Sequence, residues 1–259
     1  MNDDQIKTIA KHLQNSRIQA KDTSKISDSN ADFTLDAAYQ VQAAGISLRL
    51  LEGEKIVGAK MGLTSKAKME QMGLHSPIYG ILTDRMQIHD TGNLELAGLI
   101  HPKAEPEVAF VLSKSINGIP TKTEALQAIG SVHAAIEVLD SRYIGFKYFS
   151  LEDVVADNSS SSHFLISEAF AKPSELDIDS LPIRFKVNGK TIEETVSNVV
   201  LGSPIESLIE YCKLNSGKLI PSGTIILTGA ATTAVPLEPN MKIETEIGGV
   251  GTATLNVTE

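Results

Sequence analysis

The chain has 259 residues, 42% of them hydrophobic, and a formal net charge of −9, enough for one large core or for a small lobe on a larger one. The acidic balance excludes the basic stripe that nucleic-acid partners select for, although a small anionic substrate needs only local positive charge. Cys212 is the single cysteine, which excludes an intrachain disulfide; with no basic-then-apolar leader and no apolar run of about 18 residues, the expectation is a soluble cytoplasmic protein.

Ile6, Ile9, Ala10 and Leu13 recur at helical spacing after Asn2-Asp3-Asp4, predicting a helix over 2–14. Asn15–Asp32 is polar and reads as a connecting loop. Leu35, Tyr39, Ala43, Ile46 and Leu50 then step by three or four, predicting an amphipathic helix with Thr34 as N-cap and Gly53 as stop.

Lys55–Gly62 (KIVGAKMG) is a β-type run in which Gly58 and Gly62 leave space beside Lys60, as where a ligand nears the backbone. A lysine reaching solvent from a strand end is the ordinary alternative. Thr64–Gly73 predicts a short helix, His75-Ser76-Pro77 a turn and Ile78–Leu82 a strand, followed by a polar connector through Gly92.

His101–Leu112 (HPKAEPEVAFVL) places Glu105 and Glu107 two residues apart in an apolar run, hence on one face of a strand. Two buried carboxylates repel and call for a divalent cation, basic partners or a shared proton. An edge strand with both acids solvated is equally open, since Pro106 fits an edge. Val132–Asp140 (VHAAIEVLD) tips the balance, because Glu137 sits mid-strand between Ile136 and Val138. Three acids from two strands suit an open Mg²⁺ or Mn²⁺ site. His101 and His133 lie nearby, with strand-end or core roles expected.

Thr123–Gly130 predicts a short helix between these strands. Ser141–Ser150 carries Arg142 and Lys147 among aromatics and reads as a loop packed on the core, not a nucleic-acid surface. Asp157–Ser162 (DNSSSS) is either a solvent loop or a set of donors for a carboxylate. Ile183–Val187 and Thr191–Thr195 flank Asn188-Gly189 as a hairpin, Pro204–Leu214 predicts a helix holding a buried Cys212, and Thr224–Thr228 a buried strand. Gly229–Thr232 is a small-residue turn whose N–H groups could approach a ligand. Lys242, Glu244 and Glu246 alternate in a second E-x-E, read as a solvated hairpin face.

KIVGAKMGLTS, HPKAEPEVAFVL, AAIEVLDSR and VVADNSSS, in this order and spacing, resemble the 2-oxopent-4-enoate hydratase and 4-oxalocrotonate decarboxylase group of the fumarylacetoacetate-hydrolase-like superfamily, from about Thr34 to the C-terminus. The resemblance implies an α+β fold, a large mixed β-sheet rolled around the metal site, with N-terminal helices beside it. It implies a helical lobe over 1–75 that includes the Lys60 strand, and a β-rich catalytic core over 76–259. It makes Glu105, Glu107 and Glu137 ligands of Mg²⁺ or Mn²⁺, Lys60 the basic catalytic residue of the active site, stabilising charge or relaying a proton, and Ser160, Ser161 and Thr232 substrate contacts, with no organic cofactor. The stretch KMGLTSKAKMEQMGLHSPIYGILTD is closer to the decarboxylases of the group, which act on 2-oxo-3-hexenedioate in meta-cleavage degradation of aromatic compounds. The hydratase reaction and a non-catalytic partner role stand as alternatives. A complex with the hydratase that takes the product, and a homo-oligomer, are further implications, and Met61–Tyr79 is the expected lid. Glu238-Pro239-Asn240 departs from a Pro-Gly-Asp turn, which Asn240 should preserve.

Overall fold

The computed structural model describes residues 1–65, 69, 77–89, 92–146 and 150–259. Helix α1 (Asp3–Ile18) starts at a reciprocal cap between Asn2 and Gln5 and runs past the predicted end, burying Ser16 in its last turn. Helix α2 (Leu35–Leu51) starts where Thr34 accepts the Ala37 N–H at 3.3 Å. Its buried face is rotated from the predicted stripe: Ala43 and Leu50 are exposed, while Ala38, Val41, Gln42, Ile46 and Arg49 are buried. Two polar groups belong on that face because they have partners. Gln42 donates to the Tyr79 and Val155 carbonyls, and Arg49 to Glu54 and Thr83.

The strands and remaining helices follow in order: β1 (Ile56–Gly62), β2 (Ile78–Thr83), β3 (Asn93–Glu95), β4 (Lys103–Leu112), β5 (Ile116–Asn117), α3 (Lys122–Ala128), β6 (Ile129–Leu139), α4 (Leu151–Ala156), β7 (Ser161–Ala171), β8 (Pro182–Val187), β9 (Lys190–Val196), α5 (Pro204–Leu214), β10 (Leu219–Ile220), β11 (Ile225–Leu227), β12 (Val235–Pro236), β13 (Lys242–Ile247) and β14 (Gly251–Thr258). Seven form a mixed sheet ordered β2-β1-β11-β4-β6-β7, with β12 also beside β4; five form a second sheet ordered β3-β14-β13-β8-β9. The predicted helix over 64–73 lies largely outside the described residues, as does most of the expected lid.

The edge-strand option for Pro106 is not realised. β4 runs between β11 and β6, and Pro106 is tolerated because its outward side meets the irregular segment between β11 and β12, where its carbonyl accepts the Ala231 N–H at 3.0 Å. Gly58 also has a different reason from the one expected: a Cβ there would stand 2.1 Å from the Ile225 carbonyl oxygen, so the glycine admits the neighbouring strand rather than a ligand.

One face of β4 and β6, with Ala104, Val108, Phe110, Ala134, Ile136 and Val138, shares a core with Phe185, Ile243 and Leu255 of the five-stranded sheet. The opposite face carries the acids. The helices hold their own core, in which Ile6, Leu13 and Val41 meet Ile78, Val154 and Val155. The predicted hairpin is present, with Asn188 and Gly189 both left-handed (φ 51° and 77°). Helix α5 has the predicted ends and buries Cys212, and Asn240 takes φ 67° in its turn. Glu246 pairs with Arg184 and Lys186 on a largely solvent-facing hairpin surface, as expected of that second acidic alternation.

Candidate metal centre and active site

Register brings the acids together. Glu105 of β4 stands directly opposite Glu137 of β6, with Glu107 one pair further along the same face, opposite Ala135. One carboxylate oxygen from each of Glu105, Glu107 and Glu137 lies within 4.8 Å of the others. Glu107 and Glu137 are fully buried and Glu105 is half-buried. Glu107 Oε2 accepts the Gly229 N–H at 2.6 Å, whereas its Oε1 is buried without a hydrogen-bond partner. Burial first, then the Glu137 and Glu105 carboxylates, hold the Glu107 pKa well above the ordinary value; the Gly229 N–H and Lys60 pull the other way. A clustered, oxygen-only donor set with an orphaned inward lone pair fits a hard divalent cation, which would offset this repulsion.

Lys60 reaches the cluster from β1, beside β11 with Lys60 paired to Leu227. It is 3% exposed, and its Nζ lies 3.1 Å from Glu137 Oε1 and 3.2 Å from Oε2. The solvent-facing alternative is thereby replaced by a buried ion pair. Glycines shape this corner: a Cβ on Gly80 would come 3.3 Å from Lys60 Cε and 2.6 Å from the Asn158 carbonyl oxygen, and one on Gly229 would meet Thr64 Oγ1 at 2.1 Å.

A pocket of about 550 Å³ opens beside the acids. Lys60, Glu105, Lys103, Thr64, Ser65 and Ser159 provide its polar lining, and Ile78, Leu139, Phe146, Leu151 and Val154 its apolar wall. The serine run is buried rather than a solvent loop. Ser159 lines the pocket, Ser160 is 1% exposed, and Ser161 lines a different cavity of about 300 Å³ near Arg17 and Arg49. Thr232 is half-buried and is not among the described lining residues, although its neighbours Ala230, Thr233 and Ala234 are. His133 bonds Ser131 and the Ser167 carbonyl, both at 2.8 Å, and His101 reaches Asp22 at 3.5 Å, so neither joins the acids. Ser159 belongs to the Asp157–Ser162 run read as possible carboxylate donors; Lys103 carries no signal of its own in the sequence, although two-residue alternation puts it on the Glu105 face.

The model of the fumarylacetoacetate (FAA) hydrolase C-terminal family matches residues 66–258. A 4-oxalocrotonate decarboxylase of Pseudomonas sp is 39% identical over 98% of both chains, and a 2-hydroxyhexa-2,4-dienoate hydratase of Comamonas testosteroni is 31% identical over 98% of both. In solved structures, 4-oxalocrotonate decarboxylase from Pseudomonas putida G7, complexed with magnesium and adipate, superposes with TM-score 0.94 at 36% identity, covering 99% of this chain and 98% of that one.

Proposed function

The chain belongs to the fumarylacetoacetate hydrolase family, and on that premise we propose that it is a metal-dependent carboxy-lyase converting 2-oxo-3-hexenedioate to 2-hydroxypenta-2,4-dienoate and CO₂. The observation that carries the reading is the convergence of Glu105, Glu107 and Glu137, with Lys60 against Glu137, at one pocket. These three carboxylates would hold Mg²⁺ or Mn²⁺, and no organic cofactor is required. The 31%-identical hydratase relative makes hydration of the dienol the competing reaction. A physical complex with a hydratase that takes the product, a homo-oligomeric state and a cytoplasmic location belong to the same proposal; among the described residues no helix is long and apolar enough to cross a membrane.

When bound, the cation supplies electrophilic stabilisation of negative charge on the oxygens of a 2-oxo acid. Cleavage of the C5–C6 bond releases CO₂, and its electron pair moves through the C3=C4 double bond to the C2 oxygen. Lys60 is the ammonium placed to balance that charge and to return a proton there. Glu137 holds the Lys60 Nζ in place through their buried ion pair at 3.1 Å. The Gly229 N–H orients Glu107, and the wall of Leu139, Leu151 and Val154 limits water around the departing carboxylate.

A paired assay of purified protein with Mg²⁺ or Mn²⁺ tests this, following CO₂ release from 2-oxo-3-hexenedioate and, separately, hydration of 2-hydroxypenta-2,4-dienoate. Metal-dependent CO₂ release without hydration is expected. Hydration alone would transfer the assignment to the sister activity, and silence in both would leave a non-catalytic partner.

A further inference from the structure

Lys103 opens β4 two residues before Glu105, so its side chain leaves the strand on the same face as Glu105 and Glu107. Two residues of strand advance roughly 6.7 Å, which carries this ammonium away from the acid cluster along the strand toward the apolar side of the pocket. It lines that pocket with Lys60 and Glu105, and its Nζ lies 4.0 Å from the Phe146 ring centroid. Lys60, by contrast, is committed to Glu137. Among the described residues no carboxylate forms an ion pair with Lys103. A half-buried ammonium resting on a ring face is only partly compensated and is poised to accept an anion.

We propose that Lys103 is the receptor for the second, distal carboxylate of the substrate, so that the pocket selects 2-oxo dicarboxylates over 2-oxo monocarboxylates. This rests on the reading of the same pocket given above. The 2-oxo acid end belongs to the acids and their cation; a six-carbon chain laid along β4 then presents its far carboxylate to Lys103, against Phe146 and Leu139. A substrate with one carboxylate leaves Lys103 without a counter-ion, which separates a decarboxylase substrate from the monocarboxylate a hydratase takes. Lys103 acts on selection rather than on rate. The charge it grips departs as neutral CO₂, so the contact is strongest in the bound substrate and fades as the C5–C6 pair moves toward the C2 oxygen. Removing it should raise KM and leave kcat unchanged or higher.

The test is equilibrium binding of 2-oxoadipate and of 2-oxohexanoate to the Mg²⁺-loaded protein by calorimetry, in wild type, Lys103→Met and Lys103→Arg. Wild type should prefer the dicarboxylate by about tenfold or more, the worth of one charge-assisted contact. Lys103→Met should erase the preference by weakening 2-oxoadipate alone, and Lys103→Arg should retain a preference. The assignment is overturned if wild type shows no preference, if Lys103→Met keeps it, or if Lys103→Met weakens both ligands equally, which is the outcome of a purely structural contact with Phe146. Because the readout is binding, failure of CO₂ release with the preference intact would reject the decarboxylation and leave Lys103 in place.

Discussion

Two buried groups of charge in this chain follow opposite rules. Where the helices meet the large sheet, the two buried arginines are matched: Arg142 pairs with the Asp157 carboxylate, gives its own N–H to that carboxylate at 3.0 Å and its Nη2 to the Asp157 carbonyl at 2.6 Å, and Arg49 sits 2.9 Å from Glu54 and donates to Thr83. Burial still pushes Asp157 up to about 6, so even this pair is held at a cost. On β4 and β6, three carboxylates crowd together with Lys60 against Glu137, and Glu107 keeps an unused lone pair. Matched charges are a joint; surplus charge of one sign is a seat for something from outside.

The sharpest break in that comparison is Lys60→Met, which should cut decarboxylation by about 10²–10⁴-fold in a steady-state assay while the fold persists by circular dichroism. Next, Arg142→Met leaves the buried Asp157 unpaired and should lower stability by about 3–5 kcal/mol in urea unfolding. Glu107→Gln should do the reverse in chelator-treated protein, raising stability by about 0.5–2 kcal/mol because a repelling carboxylate is removed. The same variant should lose the gain, about 2.7 kcal/mol at hundredfold excess over Kd, that Mg²⁺ confers on wild type. Opposite signs for the two substitutions separate joint from seat; the same sign would erase the distinction.

The comparison extends to pH dependence. Burial, with Arg49 and Arg17 nearby, lowers the His163 pKa to about 4. The unfolded chain therefore binds this proton more readily, and stability contributed by neutral His163 is complete above the unfolded value near 6.5 and lost as pH falls toward about 4. His163→Gln should flatten the melting temperature of the protein between those limits; an unchanged slope would show that another group carries it.

Sequence alone exposed the seat better than the joint. Glutamates at 105, 107 and 137 contradict their apolar strands, and only burial with a partner resolves that contradiction. The hairpin at Asn188-Gly189 and the ends of α5 were legible for local reasons, since left-handed turn residues and a Ser-Pro start act within a few positions. Arg142 and Asp157 looked like loop residues because their partners lie 15 positions apart and pair only after the chain folds back. The face of α2 was misjudged on the same ground: Gln42 and Arg49 are polar in sequence and buried in space, and their hydrogen bonds run to residues 79, 155 and 83. Lys103 was overlooked because a lysine near a strand start is usually solvent-facing.

Asn158, Ser159 and Ser160 are three consecutive non-glycine residues in the left-handed region, with φ of 49°, 53° and 57°. Such a turn disfavours itself locally by about 1–2 kcal/mol per residue. Its compensation comes from β2: the Asn158 amide exchanges hydrogen bonds with the Ile81 backbone at 2.8 and 2.9 Å, and Ser159 donates to the Tyr79 carbonyl at 2.8 Å. Those partners are 77 to 80 positions away, while the Ser160 carbonyl accepts the Asp140 N–H at 2.8 Å, so the turn is held from both β2 and the end of β6. The pocket wall that includes Ser159 is therefore conditional on long-range packing: the chamber beside the acids keeps its shape only while segments far apart in the chain stay docked.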